Sequence, residues 1–198
     1  MGGDTFILAS ESNRRKKILE LINLNFQAIP SKLEESKVKI AKKQPHLYCM
    51  KMSHLKAKTI SKQYMNNYVI GADTIVYCNN TILEKPKNNS EAKRFLKKLS
   101  NNKHTVYTGV NVMHYNKKIN IQFYDKTDIE FYKLLEYDIN YYINNYKPFD
   151  KSGAYGIQDW SCLFAKKITG CFYNIVGFPI SKFYQIMLNN NINIFINE

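Results

Sequence analysis

Short continuous apolar runs, typical of buried strands, alternate along this chain with apolar residues at helical spacing. Residues 6–9 form the first continuous run, and the polar residues 10–13 that follow can cap a helix. Residues 68–77 combine β-branched and aromatic side chains, which favours a central strand. Residues 90–99 repeat apolar side chains every three or four positions, which predicts an amphipathic helix with Ser90 as its N-cap.

The remaining segments complete a pattern in which strands and helices are mixed. Further helices are predicted over 46–64, with Leu47, Met50 and Leu55 facing inward, and over 134–146 and 179–188. Further strands are predicted over 106–115, 119–131 and 192–196. A loop is predicted over 32–45, and loops with short strands are predicted over 153–177. Because the two kinds of element are interspersed, we predict an α/β fold with a mixed sheet and flanking helices.

Composition and charge limit the class of protein. The chain has 198 residues, 44% of them hydrophobic, which is enough for the core of one domain. Its net charge of +13 attracts polyanions, but its lysines are not interleaved with aromatic side chains, so we do not expect nucleic acid as a partner. We also expect no membrane span and no signal peptide. The four cysteines lack metal-ligand spacing and fit a reduced, cytoplasmic setting.

The first candidate binding site lies at residues 10–15, where a strand end leads into a helix N-terminus. Ser10 and the backbone N–H groups there can bind an anion, and Arg14 and Arg15 add forked donors that match phosphate oxygens. The alternative is a capped helix that carries two surface arginines.

A single acid, Asp73, interrupts the apolar strand predicted over 68–77. A carboxylate inside such a strand is costly unless it is paired or bound to metal. We therefore predict that Asp73 is a metal ligand or a base that takes a proton from water, with Gly71 leaving room for a ligand. The alternative is a solvent-facing position on a half-buried strand. Lys85, in the turn fixed by Pro86, could neutralise developing negative charge.

A segment with two glycines, residues 150–158, is the last candidate. Gly153 and Gly156 would let the backbone approach a flat ligand. Gln158 has one acceptor and two donors, which suit the edge of a pyrimidine base. The alternative is a glycine-rich turn with an exposed glutamine.

A series of motifs occurs in order along the chain. They are Leu8-Ala9-Ser10, Arg14-Arg15, 69–74 (VIGADT), 83–86 (LEKP), Leu99-Ser100 followed by His104 and by 108–110 (TGV), 150–158 (DKSGAYGIQ) and 174–179 (NIVGFP). Together they resemble the Maf family of nucleoside triphosphate pyrophosphatases, over residues 7 to about 188. The resemblance implies one elongated, two-lobed domain over 1–198 with the active site in the cleft between the lobes. It also implies hydrolysis of a nucleoside triphosphate to the monophosphate and pyrophosphate.

The resemblance further implies a catalytic and metal-binding group. Asp73 falls on the family's proton acceptor, and Lys56 and Lys85 fall on family lysines that would hold the triphosphate. Glu35 falls on an acidic position after the first helix, although the neighbouring Glu34 leaves the register open. We expect Mg²⁺ or Mn²⁺ to bridge phosphate oxygens and the carboxylates of Glu35 and Asp73.

The same resemblance assigns the substrate-binding residues. Ser10, Arg14 and Arg15 fall on the phosphate-binding turn, and Arg14, Thr74 and Gln158 fall on positions tied to substrate choice. The pattern is similar to the subgroup that acts on dTTP and UTP, so we expect those substrates or modified pyrimidine nucleotides, in a house-cleaning role and with a homodimeric enzyme. The alternative function is a regulator of cell division that binds nucleotide or nucleic acid without catalysis.

Three positions depart from the family's pattern. Asn13 replaces a usual proline and could loosen the turn before Arg14. Asp159 replaces a usual glycine and would add negative charge beside the base pocket. Ser152 replaces a usual alanine.

Overall fold

The computed structural model describes residues 5–35, 38 and 44–194, and the statements below concern these residues. The strands are β1 Phe6–Leu8, β2 Phe26–Ala28, β3 Tyr68–Cys78, β4 Thr81–Leu83, β5 Lys103–His114, β6 Ile119–Phe131 and β7 Ala165–Thr169. The α-helices are α1 Asn13–Glu20, α2 Pro45–Ser61, α3 Asn89–Leu99, α4 Glu136–Tyr146, α5 Phe172–Val176 and α6 Ile180–Asn189. Two 3₁₀ turns lie at Ser152–Ala154 and Trp160–Phe164.

All seven strands join one mixed sheet. Their order is β2-β1-β3-β5-β6-β7, and β4 pairs with the end of β3. β1 runs parallel to both β2 and β3, whereas the other pairs are antiparallel. The predicted α/β class with a mixed sheet and flanking helices is therefore confirmed.

Two apolar cores lie along one face of the sheet and give the molecule two lobes. The first core joins the start of β3 to α1 and α6, and the second joins the end of β3 to α3 and α4. Along β3, Ala72 is the last residue of the first core and Val76 is the first of the second. Asp73 and Thr74 lie between them, at the boundary between the lobes. The prediction of one domain stays a prediction, although one sheet runs through both cores.

Helix α2 packs closely on the opposite face of the sheet. A Cβ atom at Gly71 would lie 2.1 Å from the carbonyl oxygen of Ser53, and one at Gly109 would lie 2.4 Å from the carbonyl carbon of Cys49. Both positions therefore require glycine for the helix backbone to approach the strands. The prediction that Gly71 leaves room for a ligand is wrong, because the helix fills that space.

The inward face of α2 was also predicted wrongly. Leu47 is 48% exposed, and Met50 and Leu55 are only half-buried. The buried residues of the helix are Pro45, Cys49, Met52, Ser53, Lys56, Ala57, Ile60 and Ser61. Small side chains dominate this face because the two strand glycines bring the helix backbone against the sheet, which leaves little space for large ones.

Some predicted boundaries differ from the structure. Helix α3 is capped by Asn88, whose side chain accepts a hydrogen bond from the N–H of Glu91 at 2.9 Å, so the cap is not Ser90. Residues 192–194 lie outside any strand, and residues 195 and 196 of that predicted strand lie outside the described part of the chain. The same holds for residues 36, 37 and 39–43 of the predicted loop. Within the described residues, no helix combines the length and apolar character needed to cross a membrane.

Candidate active site

A gap in the sheet opens beside the middle of β3. β1 pairs with β3 as far as Ile70, and β4 starts to pair at Val76, so residues 71–75 have a strand neighbour on the β5 side alone. A cleft of about 830 Å³ lies at this gap. It is lined by every residue that the sequence predicted for the site, namely Ser10, Arg14, Arg15, Glu35, Lys56, Asp73, Thr74, Lys85 and Gln158.

Asp73 and its partners form the charged end of the cleft. Strand alternation turns Asp73 toward α2, where Lys56 lies. The Lys56 Nζ is 2.7 Å from Asp73 Oδ1 and 2.8 Å from Glu35 Oε1. Asp73 is 7% exposed and Lys56 is 8% exposed, so both charges are largely removed from water. The solvent-facing alternative for Asp73 is thus wrong, and one buried ammonium serves two carboxylates.

These surroundings shift the two carboxyl groups in opposite directions. Burial raises the pKa of Asp73, although the charge and hydrogen bond of Lys56 act against that rise. Burial also acts to raise the pKa of Glu35, but the charges of Lys56, Lys85 and Arg15, with the Lys56 hydrogen bond, hold it below the ordinary value. Asp73 is therefore the better proton acceptor of the two, and Glu35 stays ionised.

Tyr48, on α2, also lines this end, and the sequence analysis did not identify it. Burial raises the pKa of Tyr48 to about 12, with further contributions from Asp73, Glu84 and Glu35. Its hydroxyl therefore stays protonated near the acidic groups. A tyrosine on a helix carries no sequence signal for such a position, since the acids come from distant parts of the chain.

Arg15 lies on the other face of β3 and donates hydrogen bonds to three separate parts of the chain. Its Nε donates to the carbonyl oxygen of Gly177 at 2.9 Å, and its terminal nitrogens donate to Ser10 Oγ at 3.1 Å and Thr74 Oγ1 at 3.0 Å. Burial lowers the pKa of Arg15 below its ordinary value. Three of its five N–H donors are used by the protein, so two are left for a ligand. The surface-arginine alternative is wrong for Arg15.

Arg14 has a different environment at the mouth of the cleft. Its guanidinium forms an ion pair with the Asp150 carboxylate and donates to the Asp150 carbonyl oxygen at 3.3 Å. The Arg14 side chain is 26% exposed and that of Asp150 is 60% exposed. Arg14 and Asp150 are 136 residues apart in sequence and both line the cleft, so this pair joins α1 to the segment 150–158.

The segment 150–158 is fastened to the edge of β3. Ser152 Oγ donates to the Thr74 carbonyl oxygen at 3.0 Å, and the Gly153 N–H donates to the Glu84 carbonyl oxygen at 3.2 Å. Gly153 has a φ of +72°, which favours glycine. A Cβ at this position would lie 2.9 Å from the side chain of Val76.

The second predicted glycine, Gly156, has the ends of two side chains beside it. A Cβ at Gly156 would lie 2.7 Å from Lys151 Cε and 2.8 Å from Asp159 Oδ2. The prediction that Gly153 lets a flat ligand approach is wrong, because the side chain of Val76 fills the space beside it. Gly156 lines the cleft, so for this glycine the approach of a flat ligand stays a prediction.

The other end of the cleft is apolar. Its wall contains Val76, Val106, Tyr155 and Ile175, all of which are less than 10% exposed. Val76 and Val106 are cross-strand partners on β3 and β5. Gln158 is exposed at this end, and its side chain makes no hydrogen bond to another residue of the described part of the chain. An amide group at the rim of an apolar pocket suits recognition of a base edge.

The departures from the expected pattern are accommodated locally. Asp159 caps the turn Trp160–Phe164 by accepting from the N–H of Ser161 at 3.0 Å. It also accepts from the hydroxyl of Tyr142 at 3.1 Å, so its carboxylate is turned toward these two residues. Helix α1 is capped by Ser12, which precedes Asn13 and accepts from the N–H of Arg15 at 3.4 Å.

The carboxylate pair offers a partial site for a hard cation. The described residues include no group of three or more His, Cys, Asp or Glu side chains arranged to hold a metal ion. Mg²⁺ is commonly bound through one or two carboxylates together with waters and substrate phosphates. Asp73 and Glu35, which already share the ammonium of Lys56, fit such an ion. Glu35 lines the cleft, whereas Glu34 is not among its lining residues.

Comparisons with known proteins agree with the sequence motifs. A family model described as Maf-like protein matches residues 5–190. A dTTP/UTP pyrophosphatase of Thermosipho melanesiensis is 42% identical over 186 residues, which cover 94% of this chain and 98% of that protein. A dTTP/UTP pyrophosphatase of Cytophaga hutchinsonii is 44% identical over 178 residues, covering 89% and 79% respectively. The solved structure of the Staphylococcus aureus Ham1 protein is 13% identical, with a TM-score of 0.45 over 65% of this chain and 72% of that one.

Proposed function

This chain belongs to the Maf family, and we propose that it hydrolyses the bond between the α and β phosphates of dTTP and UTP. The products are a nucleoside monophosphate and pyrophosphate. The observation that carries the proposal is a buried Asp73 paired with Lys56 in the wall of a cleft that also contains arginines. The names of the relatives, which are dTTP/UTP pyrophosphatases, support the substrate class.

The triphosphate occupies the charged end of the cleft. Arg14, the two remaining N–H donors of Arg15, and the ammonium groups of Lys56 and Lys85 bind its oxygens, with Ser10 at the strand end. These cations stabilise the negative charge that develops on the leaving pyrophosphate. The ion pair between Arg14 and Asp150 opens, or shares its guanidinium, as phosphate enters.

Asp73 acts as the general base. A water molecule attacks the α phosphorus, its proton passes to the Asp73 carboxylate, and the bond from that phosphorus to the bridging oxygen breaks. Burial raises the pKa of Asp73, which strengthens it as a proton acceptor. Lys56 holds the Asp73 carboxylate at 2.7 Å and so fixes its direction.

Glu35 and Asp73 are the residues that would hold a divalent ion, Mg²⁺ or Mn²⁺. When bound, such an ion would neutralise phosphate charge and favour ionisation of water. The low pKa of Glu35, which keeps this carboxylate ionised, supports its part in the site.

The base occupies the apolar end. Its ring packs against Val76, Val106 and Tyr155, while Gln158 hydrogen-bonds its polar edge. Thr74 lies between the two ends, with its hydroxyl 3.0 Å from a terminal nitrogen of Arg15. This placement suits a residue that contacts the sugar or the first phosphate.

A pyrophosphate-release assay tests the proposal. Purified protein is given canonical and modified pyrimidine and purine triphosphates, each without metal and with Mg²⁺ or Mn²⁺. We expect release from dTTP and UTP that depends on a divalent ion. Binding of nucleotide with no release in any arm would contradict the proposal and favour the non-catalytic regulator.

The proposal includes a cytoplasmic location and a homodimer. The four cysteines, Cys49, Cys78, Cys162 and Cys171, are free thiols, which suits a reducing compartment. Sedimentation velocity of the purified protein tests the dimer, and a single monomeric species at micromolar concentration would contradict it.

A further inference from the structure

A buried histidine lies directly behind the apolar end of the cleft. His104 on β5 is 3% exposed, and its Nε2 lies 2.8 Å from the hydroxyl of Tyr155, which is 5% exposed. Burial lowers the pKa of His104 to about 4. The imidazole is therefore neutral at the pH of the cytoplasm, so it does not act as an acid or base that changes charge there.

Aromatic packing fixes the two rings in place. His104 and Tyr155 meet edge to face with centroids 5.5 Å apart, and Phe131 packs against His104 at 4.8 Å and against Tyr155 at 5.0 Å. His104 Nδ1 has no hydrogen-bond partner among the described residues. Within that part of the chain, the bond to Tyr155 is therefore the polar contact that orients the imidazole.

Tyr155 connects this pair to the cleft. The residue lines the cleft together with Gly156 and Gln158, while its hydroxyl points inward to His104. The backbone before it is unusual, because Ala154 has a φ of +62°, a region that residues other than glycine seldom adopt. Such a conformation persists only when surrounding contacts hold it.

We propose that His104 is a positioning residue for base recognition: it holds the hydroxyl of Tyr155 away from the cleft and so fixes the ring wall and the segment that carries Gln158. The nucleotide base then meets an apolar surface at Tyr155, and its polar edge is left to Gln158. This inference rests on the proposed function. It adds a residue that touches no substrate and yet determines which bases are accepted.

The test uses His104→Phe, Tyr155→Phe and the double variant. Each single change leaves one buried polar group without its partner, whereas the double change removes both. We expect both single variants to lower the melting temperature and the double variant to recover much of that loss. In all three, we expect the ratio of kcat/KM for UTP to that for ATP to fall about tenfold. The change should appear in KM for UTP more than in kcat, because the reacting phosphates lie at the opposite end.

His114→Phe is the matched control. His114 is also on β5 and 3% exposed, and its ring meets Tyr68 edge to face at 4.8 Å. It is not among the residues that line the cleft. We expect this variant to lower the melting temperature without changing the UTP to ATP ratio.

The melting temperature and the selectivity of the double variant separate a positioning role of His104 from a purely structural one. If the double variant regains both stability and wild-type selectivity, or if no variant changes the ratio, the inference is overturned while the proposed function stands. If the wild-type protein releases pyrophosphate from no nucleotide, the proposed function fails and the inference fails with it.

Discussion

The charged and the apolar ends of the cleft differ in how their polar groups are paired, and one residue from each end, Asp73 and Val76, lie on opposite faces of β3. At the charged end, the buried Asp73 and the exposed Glu35 share the single ammonium of Lys56, so like charges are held close together. At the apolar end, the hydroxyl of Tyr155 is paired internally with His104.

The two ends are therefore expected to contribute differently to stability and to catalysis. Burial makes the ionised Asp73 unfavourable in the folded protein, as the rise in its pKa shows. The ionised Asp73 therefore lowers stability, whereas the lowered pKa of Glu35 shows that its ionised form is stabilised by the neighbouring cations. The paired and packed groups of the apolar end stabilise the fold and set its selectivity. Changes at the charged end should lose rate, whereas changes at the apolar end should lose selectivity.

Replacement of Asp73 gives the largest expected loss. Asp73→Asn removes the general base, and we expect kcat to fall about 10²–10⁴-fold in a pyrophosphate-release assay. Asp128→Asn, at an exposed β6 position bonded to Thr105, is the matched control and should keep its rate. The melting temperature of Asp73→Asn should be no lower than that of the wild type, because an unfavourable buried charge is removed. A near-normal rate would show that Asp73 is not the base.

Removal of the ammonium of Lys56 should lower the rate nearly as much as replacement of Asp73, and it should also lower the stability of the fold. In Lys56→Met, the two carboxylates lose their common partner, so the pKa of each should rise and their repulsion should increase. We expect kcat/KM to fall about 10²-fold together with a lower melting temperature. Lys58→Met, at an exposed position on the same helix, is the control. An unchanged rate with lower stability would show that Lys56 balances the charge of the two carboxylates but does not contribute to catalysis.

The pH dependence follows from the direction of the Asp73 shift. The rate should fall about tenfold per pH unit below the pKa of Asp73, which lies above the ordinary 3.8, because the base must be ionised. For stability the sign is reversed. A raised pKa in the folded state gives a stabilising contribution at pH values below the unfolded-state pKa, and this contribution is lost as pH rises through the folded-state pKa.

Thermal unfolding of two proteins checks that sign. The melting temperature of Asp73→Asn relative to the wild type should increase from acid toward neutral pH. A difference that is independent of pH would contradict the raised pKa.

The sequence predicted the long strands and Asp73 because both have local signals. Residues 68–77 show little alternation of apolar and polar side chains and are rich in β-branched and aromatic residues. An acid within such a run must have a partner or a function. The N-cap of α3 was missed by two residues, because Asn88 and Ser90 are both good caps and the choice depends on where the helix starts.

The partners of the site residues could not be read from the chain. Lys56 was identified by resemblance alone, since a lysine on a helix gives no local sign that it is buried against an acid 17 residues away. Arg15 reaches Gly177, 162 residues away, and this bond depends on the packing of α1 against α5. Gly71 and Gly153 were assigned to ligand contact, although the structure uses them for contacts within the protein.

The smallest expected effect concerns Gln158 alone. Because this residue is exposed and bonds no other described residue, Gln158→Ala should leave the melting temperature and the kcat for UTP nearly unchanged. Selectivity for UTP over ATP should fall about tenfold, since the base edge loses its hydrogen-bonding partner. Gln185→Ala, at an exposed position on α6 outside the cleft, is the control. Unchanged selectivity in Gln158→Ala would mean that the base is recognised by the shape of the apolar wall and not by a hydrogen bond from Gln158. The apolar end would then contribute packing alone, in contrast to the hydrogen bonds and charges of the charged end.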